Sequence, residues 1–122
     1  MTEYLIAFHD EWVPDLTDDD VRQAGLRVSE LRAEMEAAGV LIYTNGLDET
    51  APVFSVVAAN GRPAFTDGPY VETKEHLGGF ALVDVTDEAA ARYWAGKVAV
   101  ACGWPQEVRR FRTFGHRPGA SG

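Results

Sequence analysis

The strongest constraint on the fold is one long amphipathic helix near the N-terminus. Its apolar residues recur at intervals of three and four, which predicts a buried stripe along about six turns. The stripe consists of Val21, Ala24, Val28, Leu31, Met35 and Ala38. Thr17 offers an N-cap, the aspartates at 18–20 suit the positive end of the helix dipole, and Gly39 suits a left-handed residue after the last turn. This helix must pack its stripe against another layer.

Strand-like segments surround this helix and a second one. Residues 3–9, 40–43, 53–58, 62–66, 80–85 and 107–114 are predicted strands. Asn45-Gly46 is turn-prone and is expected to close the second strand, and Asn60-Gly61 is typical of a two-residue hairpin turn. The second helix is capped by Thr86 or Asp87, and its stripe is Ala90, Trp94, Val98 and Ala101. The order strand, helix, strand, hairpin, strand, helix, strand predicts an α+β fold. It is a ferredoxin-like antiparallel sheet with both helices on one face and an inserted β-hairpin.

This architecture has consequences for domain organisation and assembly. Residues 1–115 are predicted to form a single domain, and residues 116–122 a flexible C-terminal tail. Because the helices cover only one face of the sheet, an apolar face is left bare. We predict that a second copy covers it in a two-fold homodimer.

The chain is acidic, with 11 basic and 19 acidic residues and a net charge of −8. This balance argues against nucleic acid and against an anionic membrane surface as partners, since both require basic patches. Basic side chains cluster at Arg109, Arg110 and Arg112, with His116 and Arg117 following. The cluster fits either a charged edge strand that discourages aggregation or an anion site.

Cysteine content and the first residues bear on the cellular compartment. The lone Cys102 cannot form an internal disulfide, so oxidising export would add no stability. Residues 1–11 lack the basic start of a signal peptide, and no stretch approaches 18 consecutive apolar residues. We therefore predict a cytoplasmic protein.

Residues 67–80, DGPYVETKEHLGGF, differ from the rest of the chain because charged groups stand among three glycines and a proline. Loops of such composition commonly carry binding groups. Alternatively, Asp67 caps its own turn, and Glu72, Lys74 and Glu75 form an ordinary charged surface. The functional interpretation is that a carboxylate beside an ammonium group is tuned for proton transfer.

His9 stands beside Asp10 at the end of the first predicted strand, where an oriented histidine–carboxylate pair could transfer protons. Adjacent residues on a strand point to opposite faces, so the two need not touch. The histidines at 9, 76 and 116 lack the spacing of a metal motif, and the sequence shows no phosphate-binding loop and no nucleophile elbow. We predict no metal and no cofactor.

A family resemblance rests on the same region. Its motifs are Asp67-Gly68-Pro69-Tyr70, Glu72-Thr73-Lys74-Glu75 and Leu77-Gly78-Gly79-Phe80. Together they resemble the signature of DGPF-domain proteins within the YCII-related group, with Tyr70 in place of phenylalanine. The likeness extends to the first strand, to the helix end at Ala37-Ala38-Gly39-Val40 and to Glu107-Val108-Arg109.

The resemblance implies a ferredoxin-like dimeric α/β barrel. Many similar proteins accompany extracytoplasmic-function sigma factors, which implies a possible sigma-factor link. Some relatives in the broader group act as small-molecule lyases through a His–Asp dyad whose histidine lies in the first helix. Residues 21–38 contain no histidine, so the dyad does not carry over to this chain.

Three functional hypotheses follow. The first is a dimeric domain that binds a small molecule in a pocket near residues 67–80, with possible acid/base, lyase-like activity. The second is a non-catalytic accessory module that binds a protein partner, and the third is a motif that only stabilises a dimer interface. The catalytic candidates are Asp67, Glu72 and His9. The predicted ligand-binding residues are Asp67, Tyr70, Glu72, Lys74, Glu75, His76 and Phe80.

Overall fold

The computed structural model describes residues 1–72 and 74–113. In chain order it has strand β1 (Thr2–His9), a 3-10 turn (Asp10–Trp12), helix α1 (Asp18–Ala37), strands β2 (Leu41–Gly46), β3 (Phe54–Ala59), β4 (Arg62–Asp67) and β5 (Leu77–Val85), helix α2 (Glu88–Cys102) and strand β6 (Glu107–Arg110). The predicted order of elements is confirmed. The predicted tail, residues 116–122, lies outside the described residues.

The main sheet has four antiparallel strands in the order β2-β5-β1-β6. With both helices connecting its strands, this order is consistent with the predicted ferredoxin-like α+β fold. The described part of the chain shows an open sheet, with β2 and β6 as its edges, and no closed barrel.

The inserted hairpin, β3 and β4, forms a separate two-stranded sheet. Its turn has positive φ angles of 54° at Asn60 and 77° at Gly61, as a tight hairpin turn requires. Both the hairpin and its turn residues agree with the sequence-based prediction.

The core lies between the two helices and one face of the main sheet. From the sheet, Ile6 and Val83 are fully buried, and they alternate along their strands with residues that face the other side. Leu31 and Met35 of α1 and Trp94 of α2 complete this core. The face of the sheet that carries Leu5, Ala7 and Leu82 has no helix against it, and we call it the open face.

Local capping explains where the helices begin and end. The Thr17 side chain accepts a hydrogen bond from the Asp20 backbone N–H at 3.0 Å, and the Asp20 carboxylate accepts one from the Thr17 backbone N–H at 3.0 Å. Gly39 follows α1 with a φ of 71°, and Gly103 follows α2 with a φ of 95°. Asp87 caps α2 by accepting from Ala90 N–H, which resolves the predicted choice between Thr86 and Asp87.

Four local expectations were wrong. Asn45 and Gly46 belong to β2 and are not a turn, because they pair with β5. The last strand ends at Arg110, short of its predicted extent, and Phe114 lies outside the described residues. Val21 is 55% exposed and Ala38, just after the end of α1, is also exposed, so the buried stripe of α1 runs only from Ala24 to Met35. Val28 is 37% exposed because it borders a cavity described below.

No helix within residues 1–72 and 74–113 combines the length and apolar character needed to cross a membrane.

Candidate functional site

A cavity of about 290 Å³ lies between α1, the end of α2 and the helix-covered face of the main sheet. Its volume is close to the lower end of the range for small-molecule sites. Most of its wall is apolar, from Ile6, Phe8, Val28, Leu31, Met35, Ala81, Val98 and Trp104. Phe80 also borders the cavity, but its side chain alternates with that of Ala81 and lies on the open face of the sheet. The polar groups along the wall are Ser29, Arg32, Thr44, Asn45, Cys102 and Gln106. We call this space the helix–sheet cavity.

The position of Phe8 explains the glycine pair of the sequence motif. Phe8 lies opposite Gly79 in the pairing of β1 with β5, and its ring packs against both glycines. A Cβ placed on Gly78 would come within 2.6 Å of Phe8 Cε2, and one on Gly79 within 2.9 Å of Phe8 Cε1. The second ring beside Phe8 is Trp104, 5.4 Å away in an edge-to-face arrangement. The glycines therefore make room for an aromatic wall of the cavity.

Hydrogen bonds already engage several polar groups around the cavity. The Thr44 hydroxyl donates to the Phe80 carbonyl at 3.0 Å, which joins β2 to β5 at the cavity wall. Arg32 donates from Nε to Glu36 Oε1 at 3.0 Å, one turn further along α1. Trp104 Nε1 is buried and has no hydrogen-bond partner among the described residues. A buried donor without an acceptor is unfavourable, so this indole nitrogen lowers the stability of the cavity wall.

Cys102 lies at the C-terminal end of α2, in the cavity wall. Burial raises the pKa of its thiol, and the positive charge of Arg27 opposes this shift. The Arg27 guanidinium is held nearby, because its Nε donates to the Ala101 carbonyl at 3.0 Å. A thiol with a raised pKa is a weak nucleophile at neutral pH, which agrees with the structural role that its position indicates.

The predicted site residues of the motif region occupy a different surface. Asp67, Tyr70, Glu72, Lys74, Glu75 and His76 are all exposed, and Phe80 is the one predicted residue that borders the helix–sheet cavity. Two hydrogen bonds to residues at the start of the hairpin hold the turn after β4. The Gly68 N–H donates to the Val53 carbonyl at 2.7 Å, and the Ser55 hydroxyl donates to the Gly68 carbonyl at 2.6 Å. Gly68 has a φ of 90°, which favours glycine there.

Two histidine–carboxylate pairs connect the end of this region to the end of β1. His9 Nδ1 lies 3.7 Å from Glu75 Oε2, beyond hydrogen-bond distance but close enough for an ion pair if the ring is protonated. His76 Nδ1 lies 3.2 Å from Glu11 Oε1, and the same carboxylate oxygen accepts from the His76 backbone N–H at 2.5 Å. The pairs cross, since each segment supplies one histidine and one glutamate. We call these four residues the crossed pairs.

The crossed pairs modify the sequence-based view of His9. Its carboxylate neighbour is Glu75, 66 positions further along the chain, whereas the sequence pointed to Asp10. His9 also packs on Trp12, with ring centroids 4.7 Å apart, so the ring has a structural neighbour on one side. Within residues 1–72 and 74–113, no group of histidine, cysteine, aspartate or glutamate side chains could hold a metal ion.

Several residues around the cavity were not found from the sequence. Arg32 and Glu36 are spaced like an ordinary surface pair on a helix, which hides any role toward a ligand. Trp104 did give a signal, since an aromatic residue directly after the glycine that ends a helix tends to pack back on the domain. No spacing along the sequence indicates that Arg32 or Trp104 lies near Phe8.

Comparison with known proteins identifies the family of this chain. Among curated proteins, none matches the chain. The family model of the YCII-related domain matches residues 5–103, from β1 to the end of α2, and so includes most of the cavity wall and all the described motif residues. The chain therefore belongs to the YCII-related domain family.

Proposed function

We propose that this protein binds a small, largely apolar organic molecule in the helix–sheet cavity. The observation that supports this proposal is a space of about 290 Å³ with an apolar wall and a few polar groups, in a chain of 122 residues. The space opens to solvent at Val28 and Arg32, so an apolar ligand would gain free energy by displacing water from its wall. An apolar cavity of about half this size already holds a benzene molecule in an engineered protein.

The lining favours binding over acid–base chemistry inside the cavity. Among the described residues that border it, none is histidine, aspartate, glutamate or lysine. The histidine–carboxylate groups lie instead in the crossed pairs, near the end of β1. Lyase-like activity through Asp67, Glu72 or His9 therefore remains a separate proposal, and it concerns a surface outside the cavity.

The test is a titration with two naphthalene probes, neutral 2-naphthamide and anionic 2-naphthoate, followed by NMR shifts of backbone amides. Val98→Trp places an indole in the cavity wall, whereas the matched control Val100→Trp adds the same group to a side chain that is 78% exposed on α2. We expect the probes to bind the wild type and the control but not Val98→Trp. Equal binding by both variants would contradict a site in the cavity.

We further propose that the protein acts as a homodimer through the open face, where the family resemblance implies an α/β barrel. Leu5 faces Leu82 and Ala7 faces Phe80 across β1 and β5, so the centre of this face is apolar. Tyr43 on β2 extends it, with its ring 6.2 Å from that of Phe80. A second copy would remove this surface from water.

Light scattering during gel filtration tests the dimer. Leu82→Lys introduces a charge at the centre of the open face and should give a folded monomer. Val100→Lys, the control on the outer surface of α2, should remain dimeric. A wild-type protein that is monomeric at micromolar concentration would refute the dimer.

A second candidate function, a module that binds a protein partner, is favoured by the inserted hairpin. Phe54, Val56 and Phe65 lie on one face of it and are 66%, 53% and 66% exposed. A lone two-stranded hairpin is marginally stable, so this face gains from a cover. The family resemblance suggests an extracytoplasmic-function sigma factor, and co-purification that Phe54→Ser abolishes would support that partner. Recovery of the chain alone would count against it.

A further inference from the structure

We propose that the ligand of the helix–sheet cavity is a monoanion with an apolar body, bound at its charged end by Arg32. This inference rests on the proposed function and adds the chemical class of the ligand. It is independent of the proposed dimer and of the hairpin surface.

The charge of the lining favours an anionic ligand. Arg32 is the one charged side chain that borders the cavity among the described residues. The chain as a whole has 19 acidic and 11 basic residues, so a random lining would contain carboxylates more often than arginines. The described wall of the cavity thus carries one positive and no negative side chain, and Glu36 partly neutralises Arg32 from outside this wall. Attraction to a single anionic group is the simplest use of this arrangement.

The geometry of Arg32 suits an anion at the mouth of the cavity. Its side chain is 56% exposed while it also borders the cavity, which places it at the mouth and not in the interior. Among the described residues, only its Nε has a partner, in the 3.0 Å bond to Glu36. A guanidinium group has five N–H donors in a planar fork, so both terminal nitrogens are available to a carboxylate or a similar anion. The bond to Glu36 also restricts the orientation of the fork.

The apolar wall indicates where the body of the ligand would lie. A ligand whose anionic group meets Arg32 at the mouth would extend along apolar side chains such as Val28 and Met35. Trp104 also borders the cavity and adds an aromatic surface to this wall. A cation would find no carboxylate among the described residues of this wall. A fully polar molecule would lose its hydrogen bonds to water and gain few from the apolar wall.

Glu36 supplies an internal comparison. Its carboxylate partly neutralises Arg32, so Glu36→Gln should make the mouth more positive without changing the cavity wall. We expect anion binding to become stronger in Glu36→Gln and weaker in Arg32→Gln. The binding of a neutral probe of the same shape should change in neither.

Calorimetric titration with 2-naphthoate and 2-naphthamide tests the inference, since the two probes have one ring system and differ in charge. We expect 2-naphthoate to bind the wild type about tenfold more tightly, and Arg32→Gln to abolish that preference, as for one hydrogen-bonded charge pair. The matched control is Arg22→Gln, which removes the same charge from the exposed start of α1, where Arg22 pairs with Asp19. This control should change the affinity less than about twofold if only nearby charge matters.

The outcomes separate the two proposals. Equal affinity for both probes, or a loss in Arg22→Gln as large as in Arg32→Gln, would overturn the anion preference and leave the cavity function intact. If neither probe binds, or if Val98→Trp leaves binding unchanged, the cavity function fails and the preference fails with it.

Discussion

Replacement of Gly79 by alanine tests the central packing contact of the cavity wall. The new Cβ would lie 2.9 Å from Phe8 Cε1, 3.0 Å from Phe8 Cζ and 3.1 Å from the Asn45 carbonyl oxygen. The ring cannot move freely, because Trp104 packs against it at 5.4 Å, and the carbonyl belongs to paired backbone. Gly79→Ala therefore forces either the ring or the strand to shift.

The expected size follows from two opposing terms. Overpacking of a core contact costs about 1–3 kcal/mol. The loss of glycine flexibility in the unfolded chain returns about 0.4–1 kcal/mol. We expect the free energy of unfolding of Gly79→Ala to fall by about 1–2 kcal/mol relative to the wild type. Because Phe8 borders the helix–sheet cavity, the variant should also bind the naphthalene probes more weakly.

Urea denaturation of the wild type and the variant measures this change. Both proteins are measured at the same concentration, because the apparent stability of a dimer depends on protein concentration. Gly25→Ala is the matched control: a Cβ at this position on α1 would meet nothing within 4 Å. It should stabilise the protein by about 0.5–1 kcal/mol, since alanine favours a helix interior. If Gly79→Ala is as stable as the wild type at an unchanged m-value, the ring does not rest on this glycine and the description of the wall is wrong.

Three further predictions concern capping, the thiol and the motif carboxylates. Thr17→Ala removes the side-chain bond to Asp20 N–H and should lower the free energy of unfolding by about 1 kcal/mol in urea. Hydrogen bonds from Thr17 lower the pKa of Asp20. The ionised Asp20 carboxylate therefore stabilises the folded state fully above the ordinary pKa of 3.8, and this stabilisation is lost as pH falls through the lowered pKa. Asp20→Asn should flatten the loss of stability in that acidic range. Since burial raises the pKa of Cys102, iodoacetamide should label the native thiol at pH 7.5 more slowly than the urea-unfolded thiol. A naphthalene probe bound in the cavity should slow the labelling further. Equal labelling rates for the native and unfolded protein would contradict the place of Cys102 in the cavity wall. Asp67→Ala and Glu72→Ala should each change naphthoate affinity less than about twofold, because both side chains are exposed and neither borders the cavity; a large loss would favour the site predicted from the sequence.

Local signals explain why much of the fold was predictable. The capping residue Thr17, the glycine after α1 and the turn at Asn60 and Gly61 each act within a few residues, and all three were confirmed. The turn expected at Asn45 and Gly46 does not form, because a turn propensity is local and weak. The pairing of both residues with β5 outweighs it.

The candidate site was only partly predictable because its contacts are long-range. The motif region attracted attention through its charges, yet most of those side chains lie on the surface. The crossed pairs bring His9 to Glu75 and Glu11 to His76, and no spacing rule connects those positions. The glycine pair of the motif is recognisable in the sequence, whereas its packing partner Phe8 is not.

The sequence by itself determined the helices, their ends, the hairpin and the membership of the YCII-related family, since each depends on neighbouring residues or on a contiguous motif. Only the tertiary structure decided that Phe8, Arg32 and Trp104 surround one cavity. The physical reason is that the pairing of β1 with β5 and the packing of two helices on one sheet face set those distances. Packing of this kind joins positions 24 to 96 residues apart through shape and burial, which local sequence patterns do not encode.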